Sequence, residues 1–250
     1  MLRRALIGAA TTYANVNASA TTIPFSARSI KRGSLVIALG KYDGLDTTVT
    51  ASDNAGGKWK VFKRTGPTYE ATHIIAYTWN HPGGSSVSVT LTLGASRGYR
   101  SGVLIELNGP DLADPFWDFE LAQGTNSAAM GFIQAPPNSL SICVASTYNA
   151  TAAWTVSSGV STLLQTDFAA FGIQQMPGGT TKHGAYIENA NTYATAFILA
   201  ASFRGPHQPR PVRRVIDSAA AAGYTHPTLS AATATEITST TARGRVTATA

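Results

Sequence analysis

Charged side chains and cysteine are both scarce in this sequence. Asp, Glu, Lys and Arg make up 13% of its 250 residues, about half the share that is usual in soluble domains. Cys143 is the only cysteine, so no intrachain disulfide can form, which excludes a disulfide-stabilised secreted module. It stands in the apolar run LSICVA, where a buried and inert thiol is expected.

Long apolar segments are also absent. No segment approaches the ~18 to 20 consecutive apolar residues of a membrane span, so we expect no membrane partner. Near the N-terminus, two arginines precede an apolar run that stops at Thr11 and Thr12, which is too short for the hydrophobic region of a signal peptide. We therefore expect no secretory leader.

The short motifs of common enzyme classes are missing. The sequence has no G-x-S-x-G nucleophile elbow and no G-x-x-x-x-G-K-[ST] phosphate loop, and its histidines lack metal-ligand spacing. The candidate catalytic pair is Asp118 and Glu120, which would share a strand face ~7 Å apart, a separation compatible with glycoside hydrolysis. The alternative is that Trp117, Phe119 and Leu121 face the core and the acids face water. We favour this alternative and predict a non-enzymatic protein without a cofactor, because paired catalytic carboxylates more often come from different strands.

Acidic and amide side chains cluster near two predicted turns, at Asp43, Asp46, Asp53 and Asn54. Their oxygens are of the type that binds calcium. Asx residues also provide the hydrogen bonds that tight turns need. Without the spacing of an EF-hand loop, the turn interpretation is favoured and no metal is expected.

The net charge of +6 is unevenly distributed. From Leu121 to Phe203 only Asp167, Lys182 and Glu188 are charged, whereas basic residues gather near the N-terminus, around Lys58 to Arg64 and after Phe203. A basic patch can meet nucleic acid. We do not expect such a partner, because no interleaving of aromatic and basic residues and no nucleic-acid motif accompanies the charge.

Alternation of apolar and polar residues dominates the chain. Val87, Val89, Leu91 and Leu93 alternate with hydroxyl residues, and turn sequences rich in Gly, Pro, Asn and Asp separate many such runs. This pattern predicts an all-β fold, a jelly-roll-like antiparallel β-sandwich. A faint repeat supports it: SLVIALGKYDG resembles SLSICVASTYN, and VLIELNGP resembles ILAASFRGP. Two similar halves would make one sandwich; the alternative is convergent strand chemistry.

Three regions follow from the composition. Residues 1–206 form the predicted sandwich, residues 207–226 a Pro- and Arg-rich extended connector, and residues 227–250 a short β tail. The tail holds two short strand patterns, around Ile237 and Val246, with no third strand to complete them. We expect these strands to pair with another chain, either a copy of this chain or a neighbouring protein.

Large aromatic side chains provide a candidate sugar-binding surface. The candidates are Trp59, Tyr77, Trp79, Tyr99, Trp117 and Trp154. Tyr77 and Trp79 share one strand face and are the first candidates to face a glycan, although large aromatics at alternating positions are more often core residues.

The run GSLVIALGKYDG...TVTASDNAGGKWKVF...IIAYTWN...SSVSVTLTL...GVLIELNGP resembles a β-sandwich family that recurs in virion proteins of tailed bacteriophages and in bacterial surface proteins. The resemblance covers roughly Ile30 to Gly205. It rests on an S-D-x-x-G-x-x-W turn and an E-x-x-G exit, here at Ser52, Asp53, Gly56 and Trp59, and at Glu106 and Gly109. The tail is similar to the opening strands of immunoglobulin- or fibronectin-like modules of phage structural proteins.

The resemblance implies a structural component of a tailed-phage virion, assembled in the host cytoplasm. A head decoration or head-fibre protein, attached through the tail and associated as a homo-oligomer such as a trimer, is the first expectation. The alternative is a carbohydrate-binding adhesin or tail-tip receptor-binding protein whose aromatic face recognises a host surface glycan.

Overall fold

The structure is a computed structural model of the chain. It describes residues 5–15, 18–45, 48–65, 71–111, 113–124, 128–133, 138–147, 154–156, 159–175, 183–189 and 196–206. The chain divides into two compact units, Met1–Arg210 and Pro211–Ala250, and all described residues belong to the first. The predicted connector 207–226 and the predicted tail 227–250, with Ile237 and Val246, lie outside the described residues.

The described residues form strands and no helix. The strands are β1 (Thr11–Asn15), β2 (Ala20–Pro24), β3 (Arg28–Ile30), β4 (Leu35–Asp43), β5 (Val49–Asp53), β6 (Lys60–Thr65), β7 (Ala71–Thr78), β8 (Gly84–Val87), β9 (Val89–Arg97), β10 (Arg100–Leu107), β11 (Phe116–Gly124), β12 (Ala128–Ile133), β13 (Leu140–Thr147), β14 (Trp154–Val156), β15 (Ser161–Gln165), β16 (Ala169–Gln175), β17 (His183–Asn189) and β18 (Ala196–Phe203).

Two five-stranded sheets dominate the body, in the orders β1-β10-β4-β7-β6 and β11-β18-β13-β16-β15. Two three-stranded sheets accompany them, β2-β9-β5 and β12-β17-β14, and β3 pairs with β8. Every described pairing is antiparallel. The prediction of an all-β antiparallel sandwich is confirmed, whereas the jelly-roll designation stays a prediction.

The body consists of two halves with the same strand order. The five-stranded order β1-β10-β4-β7-β6 of the first half corresponds strand by strand to β11-β18-β13-β16-β15 of the second. The three-stranded order β2-β9-β5 corresponds in the same way to β12-β17-β14. The register agrees as well, because Leu35 lies opposite Leu107 in the first half and Leu140 lies opposite Phe203 in the second. These positions lie in the segments whose sequences resemble each other. The sequence predicted two similar halves, and each half contributes its own five-stranded and three-stranded sheets.

The first five-stranded sheet is buried on both faces. Leu35, Ile37 and Leu39 of β4 belong to a core cluster shared with the second five-stranded sheet. The intervening Val36 and Ala38 belong to a separate cluster shared with strands β2, β8 and β9. This position explains the uninterrupted apolar run LVIAL, because a strand covered on both sides needs no polar face. Each fully buried large aliphatic side chain contributes about 1.5–3 kcal/mol.

Strand β9 lies in an outer sheet and keeps the predicted alternation. Val89, Leu91 and Leu93 are buried, whereas Thr92 is exposed. The hydroxyl residues that the sequence places between the apolar positions therefore form the outer surface of this sheet, and the alternation predicted for this segment is confirmed.

Gly102 on β10 allows the backbone of β4 and two side chains of the outer layer to approach closely. A Cβ atom built there would lie 2.7 Å from the carbonyl oxygen of Leu39 and 3.0 Å from the side chains of Ile23 and Phe25. The first of these atoms belongs to the backbone of a central strand and cannot rotate away. Gly98, in contrast, has only the Ser19 hydroxyl near such a Cβ, at 3.7 Å.

We predict that Gly102→Ala destabilises the protein by about 1–3 kcal/mol, because the added methyl group overpacks the contact between β10 and β4. Gly98→Ala is the matched control and changes stability by no more than about 1 kcal/mol. Denaturant unfolding of both variants measures the difference. Equal stability of the two variants would contradict the close approach at Gly102.

The interface between the halves also contains buried polar groups. The Nε2 atom of His73 on β7 lies 2.6 Å from the Oγ atom of Ser146 on β13, and both side chains are buried. The Nδ1 atom of His73 has no hydrogen-bond partner among the described residues. Burial, with a further contribution from the charge of Lys41, lowers the pKa of His73 from 6.5 to about 3. The imidazole is therefore neutral in the folded protein at neutral pH.

Lys41 lies directly opposite His73 on the neighbouring strand. Its ammonium group is fully buried, pairs with the carboxylate of Asp43, and lies 5.9 Å from the ring centroid of Phe168 and 6.0 Å from that of Tyr99. Burial lowers the pKa of Lys41, and the neighbouring Asp43 only partly opposes this effect. Residues from both halves thus enclose a buried cation.

We predict that His73 makes the stability of the body depend on pH. Since the folded state holds the imidazole neutral down to about pH 3 and the unfolded chain protonates it near pH 6.5, the unfolding free energy falls by up to about 1.4 kcal/mol for each pH unit in this window as the pH decreases. Denaturant unfolding at several pH values should show a smaller slope for His73→Gln. Ser146→Ala breaks the contact but keeps the imidazole, so it should retain the pH dependence of the unfolding free energy. The assignment to His73 would be contradicted if Ser146→Ala lost this pH dependence and His73→Gln retained it.

Candidate functional site

The S-D-x-x-G-x-x-W sequence forms a closed turn after β5. The Oδ1 atom of Asp53 accepts hydrogen bonds from the backbone N–H groups of Ala55 (2.7 Å) and Gly57 (3.1 Å), and its Oδ2 atom accepts one from Nε1 of Trp59 (2.5 Å). Gly56 has a φ of +84°, in the left-handed region that favours glycine. The motif therefore fixes a turn and positions the indole of Trp59.

His81 completes this turn from the opposite side. Its Nδ1 atom accepts a hydrogen bond from the backbone N–H of Gly83 at 2.9 Å, which leaves Nε2 to carry the proton, 3.4 Å from Oδ2 of Asp53. Burial by itself would raise the pKa of Asp53, but hydrogen bonds from the backbone N–H of Gly57, the indole of Trp59 and the backbone N–H of Ala55 lower it on balance. Asp53 is thus an ionised and internally bonded carboxylate.

A second carboxylate, Asp114, connects the aromatic residues of β7 to the segment between the halves. Its Oδ1 atom accepts a hydrogen bond from the hydroxyl group of Tyr77 at 2.9 Å, and its Oδ2 atom lies 2.6 Å from the ammonium group of Lys60. The same ammonium group lies 5.1 Å from the ring centroid of Trp79. The rings of Tyr77 and Trp79 stack with centroids 5.9 Å apart.

The rings of Tyr77 and Trp79, which the sequence predicted to share a strand face, stack on each other but differ in exposure. Tyr77 has no exposed surface, and its ring contacts Phe116 and Phe203 in the core between the halves. It therefore faces protein, which corrects its assignment as a glycan-facing residue: the second half of the body covers this part of β7. Trp79 follows the last residue of β7 and is only half-buried.

Trp79 lines a cleft of about 350 Å³. The other lining residues are Gly56, Lys58, Thr78, Asn80 and Pro82. The cleft thus combines the turn after β5 with the turn after β7. We call these six residues the Trp79 cleft.

Two polar side chains of the Trp79 cleft are exposed, Lys58 and Asn80. Lys58 has no ionic partner among the described residues. Asn80 has a φ of +51°, and its amide is held by the backbone of Asp111, accepting a hydrogen bond from the N–H at 2.8 Å and donating one to the carbonyl at 2.6 Å. The cleft can therefore present an indole, an ammonium group and an oriented amide to a ligand.

The remaining aromatic candidates are distributed over the body. Trp59 is bound to Asp53, and Trp154 is buried and donates a hydrogen bond from Nε1 to the carbonyl oxygen of Thr166 at 3.0 Å. Tyr99 is exposed but packs edge-to-face on Phe168 with centroids 4.8 Å apart. These contacts account for the three rings individually, and none of the three lines the Trp79 cleft.

The candidate catalytic pair lies on β11, where the structure contains an irregularity. The register with β18 shifts between Phe116 and Asp118, so that Phe116 and Phe119 both pack against the core between the halves. Trp117, expected in the core, is half-buried and is not part of that packing. The backbone of Glu120 continues β11, but its side chain lies outside the described residues, so the acid pair stays an untested hypothesis.

The candidate calcium ligands make turn and ion-pair contacts. Asn54 donates a hydrogen bond to the carbonyl oxygen of Ser86 and accepts one from the backbone N–H of Ser88, while Asp43 pairs with Lys41. Asp46 lies outside the described residues. Within the described ranges, no three His, Cys, Asp or Glu side chains converge as a metal-binding group.

Sequence reasoning selected Trp79 but did not find the cleft around it. Lys58, Asn80 and Pro82 belong to turns that are far apart in sequence, and no periodic pattern connects them. The sequence His81-Pro82-Gly83-Gly84 does indicate a turn close to Trp79, but it does not indicate a cleft.

Comparison of the chain with protein-family models, with curated proteins and with solved structures found no match. The described part of the chain also contains no helix that could span a lipid bilayer.

We predict that Asp53→Asn destabilises the protein by about 1–3 kcal/mol at neutral pH, because an amide nitrogen cannot accept the hydrogen bonds that one carboxylate oxygen receives. Since the folded state lowers the pKa of Asp53 below its ordinary value of 3.8, the stability from this carboxylate is present above that pH and is lost as the pH falls further. The difference between wild type and variant, measured by denaturant unfolding, should therefore shrink in acid. Exposed Asp167→Asn is the control and should have little effect; a constant difference down to pH 2 would contradict the assignment.

Proposed function

We propose that the chain is a non-enzymatic structural component of a tailed-phage virion, in the first instance a head decoration or head-fibre protein attached through residues 227–250. The body would be displayed on the particle, and the strand patterns around Ile237 and Val246 would complete a sheet with a neighbouring chain.

The observation that carries the proposal is that the motif residues Asp53 and Glu106 make hydrogen bonds within the body. Asp53 closes its turn through four neighbouring groups. Glu106 is buried and accepts hydrogen bonds from the backbone N–H of Lys31 and the hydroxyl group of Ser34, both at 2.7 Å. The residues behind the resemblance thus hold strands and turns together, as expected of a structural module.

The exit of each half supports the same interpretation. Gly109, at the end of the E-x-x-G sequence, has a φ of +89°, and a Cβ atom there would lie 2.6 Å from the Cβ atom of Pro206. The equivalent Gly-Pro exits of the two halves therefore meet. Close contact between these two positions suits a body that is anchored by the segment that follows.

The weakly charged, hydroxyl-rich surface is a further supporting feature. Strand β9 exposes threonine hydroxyls, and β15 is an edge strand without a charged residue. Low surface charge reduces repulsion between neighbouring copies on a particle. A homo-oligomer such as a trimer is part of the proposal.

The experiment expresses two epitope-tagged chains in host cells during phage production, the full chain and a version that ends at Pro206. We predict that the full chain bands with particles in a density gradient and resists washing, whereas the shorter version stays in the soluble fraction. Immunodetection across the gradient measures both. Absence of the full chain from the particles would contradict the virion assignment, and equal incorporation of both versions would contradict attachment through the tail.

Light scattering of the two purified chains is the control for this experiment. Both must be folded and monodisperse for the comparison to hold. A full chain larger than a monomer together with a monomeric short version would assign self-association to residues 207–250.

A further inference from the structure

We propose that the Trp79 cleft binds an acidic saccharide. This inference is independent of the virion proposal, because it rests on the chemistry of the cleft alone. The volume of about 350 Å³ lies within the range of about 300–1,000 Å³ that is typical of small-ligand sites.

The indole of Trp79 is held in place before any ligand arrives. It stacks on Tyr77, whose hydroxyl group is bound to Asp114, and the ammonium group of Lys60 is positioned near its ring by the same carboxylate. An anchored aromatic ring loses little conformational entropy on binding. Its half-buried ring lines the cleft with apolar atoms, which can contact the C–H groups of a pyranose ring.

Asn80 supplies hydrogen-bonding groups for sugar hydroxyls. Its amide makes one donor and one acceptor contact with the backbone of Asp111. An asparagine amide has two N–H donors and two acceptor lone pairs, so a second donor and a second acceptor remain in a fixed orientation. A hydroxyl group can donate to one and accept from the other, which an apolar ligand cannot do.

The charge of the cleft selects an anionic sugar. Lys58 is exposed and has no ionic partner among the described residues, and the lining includes no carboxylate. Two acids that contact neighbouring residues are already compensated, Asp53 by its turn and Asp114 by Lys60. A carboxylate on the ligand would therefore meet an uncompensated ammonium group, which favours a uronic-type saccharide over a neutral one.

A nucleic acid strand is the less suitable ligand, although it too combines rings and negative charge. Single-strand binding sites need a basic groove that follows the backbone and aromatic rings for successive bases. The Trp79 cleft is lined by one aromatic ring, that of Trp79, and by one cation, that of Lys58.

The experiment titrates the full chain with a short oligogalacturonate by isothermal calorimetry, with its methyl-esterified form and oligothymidylate as comparisons. We expect millimolar or tighter binding of the oligogalacturonate and at least ~5-fold weaker binding of the ester, which lacks the charge that Lys58 would recognise. The comparison of acid and ester needs no variant, so it stands even where a substitution affects folding.

Three variants locate the site. Lys58→Gln should weaken binding of the oligogalacturonate at least ~5-fold, while Lys63→Gln, which removes a cation from β6 outside the cleft, should change it less than ~2-fold. Trp79→Ala should abolish binding. The proposal would be overturned by undetectable binding of the acidic saccharide, by equal affinity for acid and ester, by equal effects of the two lysine variants, or by tighter binding of oligothymidylate.

Discussion

Burial of one sheet on both faces is the constraint on which the rest of this structure depends. Strands β4, β7 and β10 supply one set of side chains to the core between the halves and the alternate set to the outer sheet. Both faces must therefore be apolar, and the contacts must remain close where Gly102 passes Leu39. The polar groups that remain on these strands have to be satisfied internally, which is why Lys41 and His73 find partners at Asp43 and Ser146.

The fold class could be predicted from the sequence, and the layering could not. Alternation along β9 and turn sequences between the strands were sufficient for an antiparallel all-β fold, because both are local properties. The repeat between the segments at Leu35 and Leu140 also marked two halves. Whether two halves share one pair of sheets or make two pairs depends on which strands associate over long distances, and the same apolar run satisfies both arrangements. The face of β4 that carries Leu35, Ile37 and Leu39 packs against residues of the second half, which lie far away in the sequence.

The candidate site shows the same division between local and long-range information. The alternation of side chains along β7 predicted that Tyr77 and Trp79 lie on one face. How exposed each ring is depends on how far the second half covers that face. Tyr77 lies beneath it and Trp79 follows the end of the strand. On β11 the simple alternation of side chains between the two faces does not hold. The register shift after Phe116 brings both Phe116 and Phe119, three residues apart, to the core. An edge strand tolerates such a shift at little cost in pairing.

Duplication of one strand order has a consequence for where new function can arise. Each five-stranded sheet covers the other, so the paired faces are committed to packing and tolerate little change. Turns at the ends of the strands are free of this requirement, and in the first half the pairing of β3 with β8 lies directly beside the turn that carries Pro82. The Trp79 cleft is lined mainly by residues of such turns. A site at this position can change its lining residues without disturbing either core, because Lys58 and Asn80 are exposed side chains on turns whose backbone is fixed by Asp53 and Asp111.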